Sequence, residues 1–244
     1  MSSIAWFRLA SPVSFFPLAR RFAPWFAAGA IVFAAAGLWI GLAVAPTDAQ
    51  QGEAYRIIFI HVPAAWMSMF IYLVMAFWCA VSLTFNTRLA SMLAQALAPT
   101  GAMFTALALI TGAMWGKPAW GTYWAWDARM TSELFLYFGY IALRNAIDDP
   151  RRADRASAVL ALVGAINVPI IYFSVKWWNT LHQGASVSVT SAPRMAATML
   201  AGMLVMAFAA WFYSIAIALW RVQAIIVERD RNAAWVGALS HRTR

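Results

Sequence analysis

Two histidines and one tryptophan-rich segment carry most of the side chains in this sequence that could do chemistry. The segment runs Trp115-Gly-Lys-Pro-Ala-Trp120-Gly-Thr-Tyr-Trp124-Ala-Trp126-Asp127-Ala-Arg129. His61 lies in Ile60-His61-Val62-Pro63, and His182 follows Trp177-Trp178-Asn-Thr-Leu. Indoles at this density can anchor a protein at the headgroup level of a bilayer. They can equally offer a flat, polarisable wall to a flat ligand. An imidazole can be a metal ligand, an acid–base group or a satisfied interfacial side chain.

The surrounding composition decides what must position these groups. Apolar residues make up 63% of the 244 and charged residues 11%, with a mean hydropathy of +0.67, values foreign to a soluble domain. Six apolar stretches match the thickness of a bilayer core: Pro24–Ala45, Pro63–Leu83, Leu97–Met114, Met130–Ile147, Ala158–Val175 and Ala196–Leu219. Short connections join them and no internal repeat is visible, so the chain reads as one all-α, polytopic membrane domain over 1–244. Arg20-Arg21 before an apolar run ending Ala43-Val44-Ala45 imitates a cleaved leader. The length of that run and Pro46 after it favour a retained transmembrane helix.

Charge orients the bundle. Six spans place both termini on one side. Of the 18 Lys and Arg, Arg56, Lys117, Arg129, Lys176 and Arg194 alone fall on the other. The positive-inside rule then puts both termini in the cytoplasm. The net charge of +9 reflects this topology. Its arginines are scattered rather than gathered in one patch, which argues against nucleic acid. The outer loops become 46–62, 115–129 and 176–195. His61, His182 and the indoles of Trp115, Trp120, Trp124, Trp126, Trp177 and Trp178 all fall in them, while His241 lies in the cytoplasmic tail.

Local chemistry refines this map. Gly116, Pro118 and Gly121 oppose a long continuous helix through the indole segment. Pro63 disfavours helical geometry at Val62 and suits a first helical turn, leaving His61 at the mouth of the second span. A helical stretch from Trp178 would bring His182 onto its face. Asp127 suits a helix cap or a pairing with Arg129. Glu133 is an acid near the start of the fourth span, where it must face protein or water. Asn167 and Pro169 suggest helix packing or a kink in the fifth.

Two histidines without Cys, Asp or Glu at ligand spacing make a poor zinc site. Two imidazoles from separate loops suit a metal whose equatorial positions are already filled, and haem iron is that case. The macrocycle needs aromatic walls, which the indole segment offers. Its propionates need cations, for which Arg56, Lys117, Arg129, Lys176 and Arg194 are candidates. Cys79 stands alone inside an apolar run, so neither an intrachain disulfide nor thioether attachment of haem is available. No phosphate-binding loop is present, so any ATP-driven step belongs to a partner.

Trp120-Gly-Thr-Tyr-Trp-Ala-Trp-Asp127 resembles the WWD signature of the haem-handling proteins of cytochrome c maturation. Its continuation Ala128-Arg129-Met-Thr-Ser-Glu133, with Tyr55-Arg-Ile-Ile-Phe-Ile-His61-Val-Pro-Ala-Ala-Trp66, is similar to one branch, the haem exporter protein C (CcmC) type. The resemblance covers nearly the whole chain, with Tyr123 an aromatic replacement in the signature. It implies His61 and His182 as axial ligands of a transient, non-covalent haem b. It implies the Trp segment as the haem platform, and together with the cations and indoles read above the expected site is Trp115, Trp120, Tyr123, Trp124, Trp126, Asp127, Arg129, Trp178, Arg56 and Lys117. It further implies a bacterial inner-membrane setting beside an ABC ATPase, a second membrane subunit and a small single-helix protein. Haem would be delivered on the periplasmic face to a haem chaperone, with no independent enzymatic activity expected of this chain beyond promoting covalent attachment there. The rival reading is a permease subunit of an ABC-type transporter whose tryptophans form only an interface belt.

Overall fold

The computed structural model describes residues 10–178, 181, 182, 187 and 195–241. Among them the chain is helical, without strands, and five stretches are long and apolar enough to cross a membrane. The protein is therefore an all-α, multi-pass membrane protein.

α1 (Pro12–Trp39) begins at Ser11, whose hydroxyl accepts from Ser14 N–H, and continues as a π-turn over Ile40–Val44. A 3₁₀ turn, Glu53–Ile57, leads into α2 (Ile58–Phe85). α3 (Arg88–Trp120) returns along α2. Two short helices follow, α4 (Ala128–Phe135) and α5 (Phe138–Asn145). Another broken pair, α6 (Pro150–Gly164) and α7 (Asn167–Trp177), precedes α8 (Ala197–Arg229), which lies along α1. α9 (Ala234–His241) closes the described chain.

The core forms where α2 meets α3, with Met67, Ile71, Tyr72 and Met75 packed on Ala94, Ala98 and Ala108. Small side chains on α3 let the backbones approach closely, the usual device where lipid removes a hydrophobic drive between helices. Tyr137, in the turn between α4 and α5, is fully buried and donates its hydroxyl to Ser68 O at 2.6 Å. At the end of α3 remote from Trp120, Asp154 takes two bonds from Arg229 (2.8 and 2.9 Å) and lies 3.0 Å from Arg144, tying α6, α8 and α5 together.

Several local expectations do not hold. Pro63 does not open α2. The helix starts five residues earlier, because Tyr55, Ile58 and Phe59 are buried against Met199 and Met203 of α8 and hold the upstream turns in place. Membrane helices tolerate an internal proline when neighbours compensate the lost bond. Nor do Gly116 and Pro118 end α3. It runs through both and stops at Gly121, whose φ of +79° and N–H bond to Lys117 O make the left-handed cap. The segment expected as one span over Met130–Ile147 is interrupted at Leu136–Tyr137. α7 ends before Trp178, which is extended (φ −127°, ψ 156°), so no helical face joins Trp178 to His182.

Candidate functional site

His61 sits in the first turn of α2 and is 8% exposed. Its Nδ1 lies 3.0 Å from Ala108 O and 3.1 Å from Thr111 Oγ1, both on α3. The carbonyl can only accept. The Thr111 hydroxyl donates to Leu107 O at 2.6 Å, so its oxygen accepts too. Nδ1 must therefore carry the proton, which leaves Nε2 with its lone pair, the tautomer a metal ligand needs. The Trp115 ring lies edge-on at 5.6 Å, its Nε1 donating to Gln51 Oε1 at 2.7 Å. Gly112 leaves the imidazole room: a Cβ there would meet His61 Cε1 at 3.0 Å.

His182 faces this imidazole. The ring centroids are 6.3 Å apart and the planes differ by 35°. Trp120 stands 6.1 Å from His182. An iron atom bound by two imidazoles at about 2 Å each would separate their centroids by roughly 6 Å. The donor set thus fits axial ligation. Among the described residues no three His, Cys, Asp or Glu side chains gather, so a zinc-type cage does not form.

Around the pair is a cleft of about 50 Å3, lined by His61, Gly112, Trp115, Trp120, Arg129, Met130, Glu133 and His182 among others. That volume is far below the roughly 300–1,000 Å3 of pockets that enclose a drug-sized ligand. A porphyrin held between the rings would extend beyond these walls, one edge open. Glu133, 4% exposed, accepts a hydrogen bond from Ser68 Oγ at 2.5 Å and lines the cleft. Arg129 Nη1 donates to Ile171 O at 3.0 Å, fixing the guanidinium at the cleft wall.

His61, His182, Trp115, Trp120 and Arg129 line this cleft together, and the other expected site residues are not among its lining residues. Asp127 caps α4, accepting from Met130 N–H at 2.8 Å, and so orients the helix that carries Arg129 and Glu133. Trp124 packs edge-on against Trp126 (5.4 Å) and lines a separate apolar groove on α3, its buried Nε1 unpaired among the described residues. Trp126 is 78% exposed. Lys117 donates to Gly121 O and lies over the exposed Tyr123 ring. Arg56 pairs with Glu53 and donates to Gly41 O at the end of α1. Trp178 is exposed and packs on Trp177. Arg194 lies outside the described residues. Ser68 and Gly112 were not anticipated. The one signal for Ser68 is a hydroxyl inside an apolar helix, and Gly112 becomes legible only once α3 lies against His61.

The fold and the cleft define a class: a multi-pass α-helical membrane protein with a paired-imidazole, indole-walled site at one end of its bundle. Residues 5–237 match the family model described as Heme exporter protein C. The protein of that name from Bradyrhizobium diazoefficiens is 53% identical over 204 residues, covering 82% of this chain and 77% of its own. The Escherichia coli K12 protein of the same name is 43% identical over 235 residues, 95% of each. A putative cytochrome c biosynthesis ccmC-like mitochondrial protein of Marchantia polymorpha is 50% identical over 155 residues, 63% of this chain and 66% of its own. The chain belongs to the haem exporter protein C family.

Proposed function

We propose that this chain, a haem-handling membrane subunit of cytochrome c maturation, holds haem b non-covalently between His61 and His182 at the periplasmic face of the bacterial inner membrane. It then presents the haem to a periplasmic chaperone. The observation that carries this reading is the imidazole pair: facing rings 6.3 Å apart, one locked by α3 into the metal-binding tautomer.

Each neighbouring side chain has a task in that reading. The Ala108 carbonyl and Thr111 hydroxyl hold His61 in orientation. Trp115 and Trp120 wall the cleft against water and lipid. Arg129, braced by Ile171 O, offers its remaining N–H groups to a propionate. Two axial nitrogen bonds would hold iron firmly yet exchangeably. The cleft is too small to enclose a porphyrin, so one held there would extend past its walls, and the exposed Trp126 and Tyr123 lie on the segment a chaperone would meet first. If the broken α4–α5 pair crosses together with the five longer stretches, six crossings with both termini in the cytoplasm would put this face outside. An ABC ATPase, a second membrane subunit and a small single-helix protein complete the assembly, and the ATPase drives release. The exposure of Trp177 and Trp178 favours the interface-belt reading for those two indoles. The half-buried Trp115 and Trp120, which line the cleft beside the imidazoles, favour a ligand wall.

Haem content of the detergent-purified protein, co-expressed with the chaperone and the small partner, tests the assignment. Wild type is expected to carry haem, and His61→Ala and His182→Ala to lose it. Equal haem in all three would refute the ligand assignment.

A further inference from the structure

Two helix breaks face each other across one groove. α4 gives way to α5 at Leu136–Tyr137, and α6 to α7 at Ala165–Ile166. Residues flanking both breaks line the same space: Leu136 and Gly139 on one wall, Gly164 and Asn167 on the other. In hydrocarbon, interrupted backbone persists only where protein or a cavity supplies partners. The compensation is visible. Leu136 N–H turns to Glu133 O at 3.3 Å, so Ser132 O loses its usual helical donor, and Asn167 Nδ2 donates to that carbonyl at 2.9 Å. Pro169 can offer no N–H to Ala165 O, and Val168 N–H donates there instead at 3.2 Å. Facing discontinuous helices are where membrane transport proteins characteristically bind their cargo.

The groove and the histidine cleft share α4, an eight-residue helix about 12 Å long, as a wall. Arg129, Met130 and Glu133 of α4 line the cleft, whereas Ala128, Thr131, Ser132 and Phe135 line the groove. The groove holds about 490 Å3 against about 50 Å3 in the cleft, within the range that encloses a sizeable organic ligand. Its walls are mixed. Tyr72, Phe135 and Tyr140 give aromatic surface, and Thr131, Ser132 and Asn167 give hydroxyl and amide groups. An acyl chain has no use for the polar part, but a flat macrocycle with polar edges uses both. The bracing of α4 comes largely from the groove's far wall, through Asn167 to Ser132 O and Arg129 to Ile171 O. An occupant between α4 and α7 therefore bears directly on the helix that forms the cleft wall.

We propose that this groove is an intramembrane port: a porphyrin enters it from the lipid and rests against α4 before reaching the histidine pair. The proposal builds on the haem reading of the cleft and supplies its route of loading.

Leu160→Trp and Ile170→Trp each place an indole in the groove from the wall remote from the cleft. Each is made in the full chain, expressed with its partner subunits, and haem is measured by two routes. The first is haem that copurifies from cells. The second is uptake when ferric haem b is added to the purified, detergent-solubilised protein. Both variants are expected to lose copurifying haem down to the level of His61→Ala while matching wild type by direct addition. Copurifying haem unchanged from wild type, with lipid as the groove's occupant, would overturn the port. So would loss by both routes in both variants, because the groove would then not be separable from the cleft. A wild type that takes up haem by neither route would instead sink the histidine assignment itself.

Discussion

Gly112→Ala addresses the cleft through its closest tolerance. The added methyl would stand 3.0 Å from His61 Cε1, whereas ordinary contact begins at 3.4 Å, so the imidazole must give way by about 0.4 Å. Its freedom to do so is small, because Nδ1–H is held by Ala108 O and Thr111 Oγ1 on the same helix that carries the new methyl. Coordinate bonds tolerate about 0.2 Å of misplacement, so the shift is roughly twice what an axial bond absorbs. Overpacking a tight site costs about 1–3 kcal/mol, and disturbing the groups that orient a ligating histidine costs about 10–100-fold in affinity. The expected result is haem binding weakened by about one to two orders of magnitude, with part of the bound haem turned high-spin. Titration of the purified protein with ferric haem, followed by absorbance, reads both quantities. Gly237→Ala, where a Cβ would meet nothing within 4 Å, should match wild type. A Gly112→Ala protein with wild-type affinity and spectrum would refute the claim that His61 meets the iron from this position.

Three further perturbations probe the supports. Asp127→Ala removes the α4 cap and should lower stability by about 0.5–2 kcal/mol. Asp127→Asn should restore most of it in thermal unfolding, which a direct role of the carboxylate with haem would not allow. Asp154→Ala strips the shared partner from Arg144 and Arg229, whose side chains are 12% and 15% exposed. Removing one member of a buried ion pair costs about 3–5 kcal/mol, so melting temperature and membrane yield should fall while haem per folded molecule does not. Trp120→Ala should reduce haem retention, whereas Trp126→Ala, on an exposed side chain, should leave retention intact and reduce transfer to the chaperone. Equal behaviour of the two variants in a paired retention and transfer assay would contradict their separate placement.

The membrane class and the general site were legible in the sequence for a physical reason: long apolar runs and clustered indoles are one-dimensional signals. His61, His182, Trp115, Trp120 and Arg129, read from the sequence as lying at one end of the bundle, line one cleft. What failed was the local reading of breakers. Pro63 and Pro118 lie inside helices because tertiary burial of Phe59 on one side, and the Gly121 cap on the other, outweigh the bond each proline removes. The break at Leu136–Tyr137 contains neither glycine nor proline. Its cause is Tyr137 reaching across to Ser68 O in the space left by Gly101, a contact between residues far apart in the chain. The break at Ala165–Ile166 was easier, since Asn167 and Pro169 announce a kink. Sorting the indole segment into cleft walls and exposed surface required knowing that α3 carries Trp115 and Trp120, while Trp124 and Trp126 lie beyond its cap.

The central claim is that two imidazoles, His61 and His182, hold the iron together. Low-temperature electron paramagnetic resonance of the ferric, haem-loaded protein tests it most directly. The account predicts a low-spin signal of bis-imidazole type in wild type, replaced by a high-spin signal or lost with the haem in His61→Ala and in His182→Ala. A high-spin wild type, or a low-spin signal that survives either substitution, would contradict it.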